Sequence, residues 1–262
     1  MNSEPHWGST DRDQKAKNIL ECLQLLTDLE PKNLSCVDIG CGSGGITFHL
    51  APYFKYVCGV DAEPWQRWQE YAAQASNLSF REESIESLSL AVDSVDIVIC
   101  NQVYEHVPCP EILIAQVFRI LKPGGVCYFA GPNLLYPIEP HVYWPFIHWI
   151  PRRLALAILR VFAPHKVLDA RSTTYWRLNR WFKDFSVVDA VPRLIKHRAA
   201  STRSKFYWRP FRLVPFAILE WLGFLSPGFV FLLFKPMAGN DRRIDRRYRA
   251  QEMPTPGPVS PE

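Results

Sequence analysis

Val37-Asp38-Ile39-Gly40-Cys41-Gly42-Ser43-Gly44-Gly45 decides how this chain is read. An apolar run breaks into four glycines within six residues, as a strand does where it turns sharply into a helix. Glycine has no side chain and tolerates positive φ, so such a turn lets bare backbone approach a ligand. It reads as a nucleoside-binding turn. Two patterns fit: G-x-G-x-x-G through Gly40, Gly42 and Gly45, the dinucleotide fingerprint, and D-x-G-x-G-x-G through Asp38, Gly40, Gly42 and Gly44. The loop alone does not choose between them.

Downstream, Tyr56-Val57-Cys58-Gly59-Val60-Asp61 supplies a second strand ending in an acid, which both readings need for ribose hydroxyls. Then come Arg81 to Leu88, the block Asp93-Ser94-Val95-Asp96-Ile97-Val98-Ile99-Cys100-Asn101-Gln102-Val103-Tyr104-Glu105-His106-Val107, and Leu121-Lys122-Pro123-Gly124-Gly125 before another apolar run. In this order and spacing the blocks resemble the class I S-adenosylmethionine (SAM) methyltransferases, in particular the small-molecule, ubiquinone-biosynthesis-like group. The resemblance covers roughly residues 35 to 133 closely and the last strands loosely. It implies a doubly wound, mainly parallel seven-stranded Rossmann-like α/β sheet with an antiparallel last strand, SAM as cofactor and methyl transfer as reaction. It leaves the acceptor open.

The spacing predicts a helix over 13–29, strands at 35–39, 56–61, 78–81, 95–100 and 126–130, and helices at 45–52, from Pro64 through Trp65, Trp68 and Ala72, and at 111–121. The unbroken apolar run Val95 to Cys100 is what a strand covered by helices on both faces requires. Strands alternating with helices argue for a parallel sheet. After Asn133 the pattern changes. Residues 134–172 hold five prolines, the aromatic run Tyr143 to Ile150 and a short helix from Arg152 to Phe162. A helix capped by Ser172 or Thr173, a strand from Phe185 to Val191, a second insertion over 193–225 and a final strand from Phe229 follow. The chain therefore divides into a tail (1–12), one domain (13–238) whose two insertions form an acceptor-site roof or membrane-facing surface, and a basic then proline-rich segment (239–262) whose composition reads as disordered.

Composition narrows the class. The 262 residues suit a single α/β domain with insertions. Seven cysteines lack framework or zinc spacing, which points to a reducing, cytoplasmic setting with no metal site. The first residues are polar, and no signal peptide is readable. Charge is uneven: residues 1–140 hold 9 Lys+Arg against 18 Asp+Glu, whereas 141–212 hold 15 against 3. Tryptophans and tyrosines interleave with those arginines. An anionic membrane surface, nucleic acid and a phosphorylated substrate all suit such a surface. Phe211 to Phe234 is apolar but broken by Glu220 and Ser226-Pro227-Gly228, short of the roughly 18 uninterrupted residues of a spanning helix. It packs in the core or lies at a membrane interface.

By the resemblance, Asp38 helps hold the amino end of SAM through the loop or water, Gly40, Cys41, Gly42 and Gly44 present backbone, and Asp61 with Ala62 meets the ribose. The competing reading of Asp61 is a helix-capping acid. Where the family places an acid for the adenine amino group this chain has Ser84, followed by Ile85, with Glu83 as the fallback. Asn101 and Gln102 leave the fourth strand at its carboxyl end, where ligands bind in open sheets. The catalytic candidates are His106, read as a general base or as a helix-start residue, and Glu139 and His141 in Pro137-Ile138-Glu139-Pro140-His141, where flanking prolines impose extended backbone. Methyl transfer to oxygen of a small or lipid-linked molecule is the expected function. A noncatalytic SAM-fold partner protein and a nicotinamide oxidoreductase are the alternatives. The sequence argues against modification of nucleic-acid bases, because Asn101-Gln102-Val103-Tyr104 lacks the prolines of the amino-methylating signature.

Overall fold

The structure is a computed structural model that describes residues 11–139, 142–166, 168, 170–200 and 206–237. The N-terminal residues before these, His141 and the segment 239–262 read as a tail lie outside the described residues. In chain order the elements are α1 (Arg12–Leu26), β1 (Ser35–Ile39), α2 (Gly45–Leu50), β2 (Tyr56–Asp61), α3 (Arg67–Gln74), β3 (Leu78–Glu82), β4 (Val95–Asn101), α4 (Pro110–Ile120) and β5 (Leu121–Pro132). After them come β6 (Ile138–Glu139), β7 (Trp144–Pro145), α5 (Arg152–Phe162), α6 (Tyr175–Trp181), β8 (Ser186–Asp189), α7 (Val191–Ala200), α8 (Phe216–Leu222) and β9 (Gly228–Phe234).

Seven strands form one sheet in the order β3-β2-β1-β4-β5-β9-β8, with β9 antiparallel to both neighbours. This is the expected doubly wound sheet. Alternation along each strand divides its side chains between two cores. Val37, Val98, Cys100 and Phe129 face one side, where α4 contributes Leu113 and Val117, α6 contributes Leu178, and Phe182 follows directly after α6. Cys36, Ile97, Ile99 and Tyr128 face the other, against Ala16, Ile19 and Leu23 of α1. The apolar run of β4 is thereby buried on both faces, as its sequence demands.

Several expected boundaries move, each for a visible reason. Helix α1 stops at Leu26 because Thr27 is already extended and bonds back to Leu23 through both its N–H and its hydroxyl. Trp65 precedes α3 rather than opening it. The Leu121-Lys122-Pro123-Gly124-Gly125 turn is drawn into β5, since Leu121 pairs with Val95 and Gly124 donates to the Lys235 carbonyl. Thr174, not Ser172 or Thr173, caps α6 by accepting from the Arg177 amide. The strand expected to reach Val191 ends at Asp189, whose carboxylate takes the Val191 amide and starts α7.

The second insertion accordingly divides. Its first helix, α7, is no roof. Ala190 and Leu194 pack into the α1 core, and His197 and Arg198 pair with Glu21 at 3.2 and 3.5 Å. The chain returns to the carboxyl edge of the sheet through α8, where the Asn133 amide donates to the carbonyls of Phe224 and Ser226 at 2.7 and 2.8 Å. The first insertion builds the β6–β7 hairpin and α5 around a small core of its own containing Val142, Ile147, Ala155 and Leu159. Among the described residues no helix is long and apolar enough to cross a membrane.

Candidate cofactor site

The strand order reverses between β1 and β4, and the glycine loop leaves β1 at that switch point, the crevice where open α/β sheets take ligands. Gly40, Gly42 and Gly44 have φ of 67°, 51° and 80°, a region that side-chain-bearing residues avoid. A side chain at Gly40 would collide with Val103, its Cβ lying 2.6 Å from Cγ2. One at Gly44 would collide with Phe80 at the same distance. At Gly42 nothing lies within 4 Å. Gly40 and Gly44 are therefore glycines for packing as well as backbone, while Gly42 borders open space.

A set of hydrogen bonds fixes the loop. The amides of Gly40 and Cys41 donate to the Val60 carbonyl at 2.8 and 3.1 Å, and Gly42 N donates to Asp61 Oδ2 at 2.8 Å. Trp68 Nε1 donates to the Gly42 carbonyl at 2.8 Å while its ring stacks on Phe80. Asp61 is half-buried at the carboxyl end of β2. Its Oδ1 also takes the Glu63 amide at 3.1 Å, and both oxygens keep further acceptor capacity for hydroxyls. Ala62 is exposed beside it. Cys41 is buried with its sulfur against Gly59, so its backbone is the part that faces the loop.

Asp38 lies under the loop rather than in it. Its buried carboxylate accepts from Thr47 Oγ1 at 2.7 Å, bracing β1 to α2. Burial pushes this carboxyl up to about 7, against the Thr47 hydrogen bond and the positive charge of Arg12. Any help to a ligand's amino end thus passes through the loop.

At the end of β3, Glu83 is engaged by its own turn, accepting from Ser89 N and Oγ at 2.8 and 2.6 Å. Burial raises its pKa, but these bonds and Arg81 outweigh that and hold it below the usual carboxylate range. Ser84 caps the short 3-10 turn Ile85–Ser87 and pairs with the Ser87 hydroxyl at 3.1 Å. Ile85, next to Ser84, packs against the core.

Asn101 ends β4 half-buried. Gln102 is exposed in left-handed backbone (φ 60°), held by its amide bond to Ala130 O at 2.8 Å. A non-glycine residue in this region is strained and is maintained by its surroundings. His106 does not start a helix. It closes a Val103–His106 turn, its amide donating to Val103 O at 2.9 Å and α4 beginning only at Pro110. Its Nε2 lies 4.0 Å from the wholly buried carboxylate of Glu105. Glu139 is buried in β6, where Oε2 takes the Val142 amide at 2.7 Å, so one of its two oxygens is engaged by its own turn.

Sequence reasoning missed three residues here. Arg12, at the start of α1, fills the space beside Gly45, its Cγ 2.9 Å from where a Cβ would lie, and brings positive charge to the loop. Trp68 clamps the loop, and Asn133 ties both insertions to the end of β5. None has a local signal, because each acts on a partner distant in sequence. A depression of about 400 Å³ on the outer side of α1, lined by Lys17, Glu21, Tyr53 and His197, contains none of the site residues.

Residues 37–129 match the family described as a methyltransferase domain. The ubiquinone biosynthesis O-methyltransferase of Coxiella burnetii is 31% identical over 105 residues, 39% of this chain and 45% of that protein. The chain thus matches under half the length of this curated relative. The [4+2]-cyclase SpnF shares the fold with a TM-score of 0.55 at 14% identity, covering 91% of this chain and 85% of the other. The geranyl diphosphate C-methyltransferase of Streptomyces coelicolor, solved with S-adenosyl-L-homocysteine, does so with a TM-score of 0.51 at 16% identity, covering 90% and 86%. The strand order and the glycine loop agree with this match, so the segment 37–129 is similar in sequence to the methyltransferase domain family and sits on the fold these structures share.

Proposed function

We propose that the protein binds SAM at the β1–β4 switch point and transfers its methyl group to oxygen of a small-molecule or lipid-linked acceptor met at an anionic membrane surface. The observation that carries the cofactor reading is the pairing of Gly42 with Asp61: a glycine open to solvent-side space, braced by an acid that retains acceptor capacity. Gly40, Cys41, Gly42 and Gly44 would cradle the cofactor with backbone, Asp61 and Ala62 its ribose, Ser84 and Ile85 its adenine, and Asn101 and Gln102 its methionine part. Arg12 supplies positive charge for a carboxylate. When bound, SAM presents a sulfonium methyl for in-line displacement. The chain's task is to align the acceptor, exclude water and remove a hydroxyl proton. On this reading His106 Nε2 accepts that proton, supported by the buried Glu105 carboxylate 4.0 Å away, whose charge would favour the resulting imidazolium. His141, outside the described residues, is the second candidate base. The likeness to the Coxiella ubiquinone biosynthesis O-methyltransferase supports an oxygen acceptor.

Calorimetric titration with S-adenosylhomocysteine and, separately, NADH tests this reading. Homocysteine-product binding that falls about 100-fold in Asp61→Ala is expected, the loss of charged hydrogen bonds to two hydroxyls. NADH binding alone would make the protein an oxidoreductase, and binding of neither a noncatalytic partner. With an acceptor in hand, His106→Ala should abolish turnover at unchanged product affinity. The same outcome for His141→Ala instead would move the base there.

A further inference from the structure

We propose that the surface carrying the Tyr143–Trp149 loop, α5 and α8 is a docking face that seats the protein on an anionic lipid bilayer, with the cofactor crevice at the same edge of the sheet. Most of the exposed large apolar side chains lie between Tyr143 and Leu225, and the most exposed of all are Leu213 at 88%, Tyr143 at 75%, Phe162 at 73%, Val161 at 72% and Trp221 at 71%. In α5, Ala155 and Leu159 face the insertion's own core, while Leu154, Val161 and Phe162 form an adjacent stripe in solvent, with exposed Arg153 and Arg160 on the far flank. A short helix with an uncovered apolar stripe and flanking arginines is built to lie in an interface.

Backbone strain points the same way. Tyr143 and Phe146 have φ of 53° and 58°, left-handed conformations that bulky side chains avoid. Bonds from Tyr143 N to Glu139 O and from Phe146 N to Pro137 O, at 2.8 and 2.6 Å, hold them there, yet both rings remain exposed. The strain does not serve burial in this chain. It serves presentation.

All these segments are anchored just beyond β5. Trp149 Nε1 and His148 Nε2 meet the Leu134 carbonyl at 2.5 and 3.0 Å, Leu134 N bonds Thr173 O, and Asn133 holds Phe224 and Ser226, beside which Trp176 and Trp221 pack. This is the edge from which Gln102 and the glycine loop emerge. Charge selects the partner: the Tyr143–Trp149 loop and α5 carry exposed Arg152, Arg153 and Arg160 and no acidic residue, which favours an anionic surface and disfavours a second copy of the same face. The exposed aliphatics Leu154 and Val161 of α5 and Ile218 of α8 distinguish a bilayer from nucleic acid, since neither bases nor phosphates reward them. Among the described residues no helix spans, so the contact is interfacial.

Docking does not require methyl transfer, whereas delivery of an acceptor from the bilayer rests on the cofactor reading above. The test is flotation of the full chain with vesicles of phosphatidylcholine alone or mixed with phosphatidylglycerol, with S-adenosylhomocysteine affinity measured on the same preparation. Binding to the mixed vesicles is expected, falling about tenfold or more in Val161→Ser/Phe162→Ser and in Trp221→Ser, which lose buried apolar area while keeping product affinity. Charge reversal at Arg153 and Arg160 should weaken it independently. Absence of binding at low salt overturns the proposal. So does binding that the apolar variants leave intact, or duplex DNA binding that the mixed vesicles cannot compete. Vesicle binding without product binding would leave docking standing and remove the cofactor reading.

Discussion

Asp38 and Asp61 stand at the ends of adjacent strands, yet their surroundings give them different chemistry. Asp61 is half-buried and receives two amides. Asp38 is sealed beneath the loop, where it accepts from the Thr47 hydroxyl, and burial lifts its carboxyl to about 7. In the unfolded chain the same group titrates near 3.8. Because its folded pKa is raised, the folded state holds a proton that the unfolded state releases. Its contribution to stability is complete below about pH 4 and is lost as pH rises to about 7, a span of some 3 pH units worth on the order of 4 kcal/mol. Thermal unfolding of the wild type should therefore weaken more between pH 5 and pH 8 than that of Asp38→Asn, in which the group cannot ionise. Parallel pH profiles for the two proteins would show that Asp38 enters the folded state ionised.

At the scale of the element, the loop between β1 and α2 separates two reasons for being glycine. Gly44→Ala meets Phe80 at 2.6 Å and Trp68 at 3.2 Å in left-handed backbone, so it should cost about 2–4 kcal/mol of stability. Gly42→Ala meets nothing and bears only the conformational cost of about 1 kcal/mol, but places a methyl where a ligand must approach. Chemical denaturation should rank Gly44→Ala as the weaker fold. Calorimetry on the folded fraction should show Gly42→Ala losing at least tenfold in S-adenosylhomocysteine affinity. Equal affinity for Gly42→Ala and wild type would mean the ligand approaches elsewhere. The same loop shows what a sequence can display. Its glycines, the apolar run of β4 and the acid ending β2 are local signals, and all three elements lie where expected. The α6 cap was ambiguous because Ser172, Thr173 and Thr174 are consecutive candidates and only Thr174 has its oxygen over the Arg177 amide. Helix α7 was hidden because its reason is non-local: Ala190 and Leu194 find α1, some 170 residues earlier in the chain. Arg12 and Trp68 were invisible for the same cause, each defined by a glycine it covers or clamps.

On the scale of the whole molecule, the two edges of the sheet do different work. The carboxyl edge of the parallel strands holds the glycine loop, Gln102 and the insertions, and tolerates strain there. The opposite edge is closed by ionic and backbone ties: Asp96 accepts from Ser35 N and Oγ and from Lys122, and Lys235 follows the end of β9, whose Phe234 pairs with Val126 at the start of the β5 core. Lys235 Nζ donates to Asp93 Oδ1 at 2.6 Å and to the carbonyls of Phe118 and Leu121 at 2.7 and 2.8 Å, with the Phe118 ring beneath it at 4.6 Å. One buried cation thus joins the last strand, the end of α4, where positive charge also suits the helix dipole, and the strained turn at Asp93 (φ 55°). Lys235→Met keeps the aliphatic stem but strips both carbonyls of a charged donor, which should cost about 2–4 kcal/mol. Urea unfolding should show the midpoint falling with the slope unchanged, because the surface exposed on unfolding is the same. Under native conditions product affinity should stay at the wild-type value, since the glycine loop lies at the other end of the strands. A loss below about 1 kcal/mol would show that water replaces the ammonium at this edge, and a parallel loss of product affinity would show that the two edges are coupled through β4 and β5.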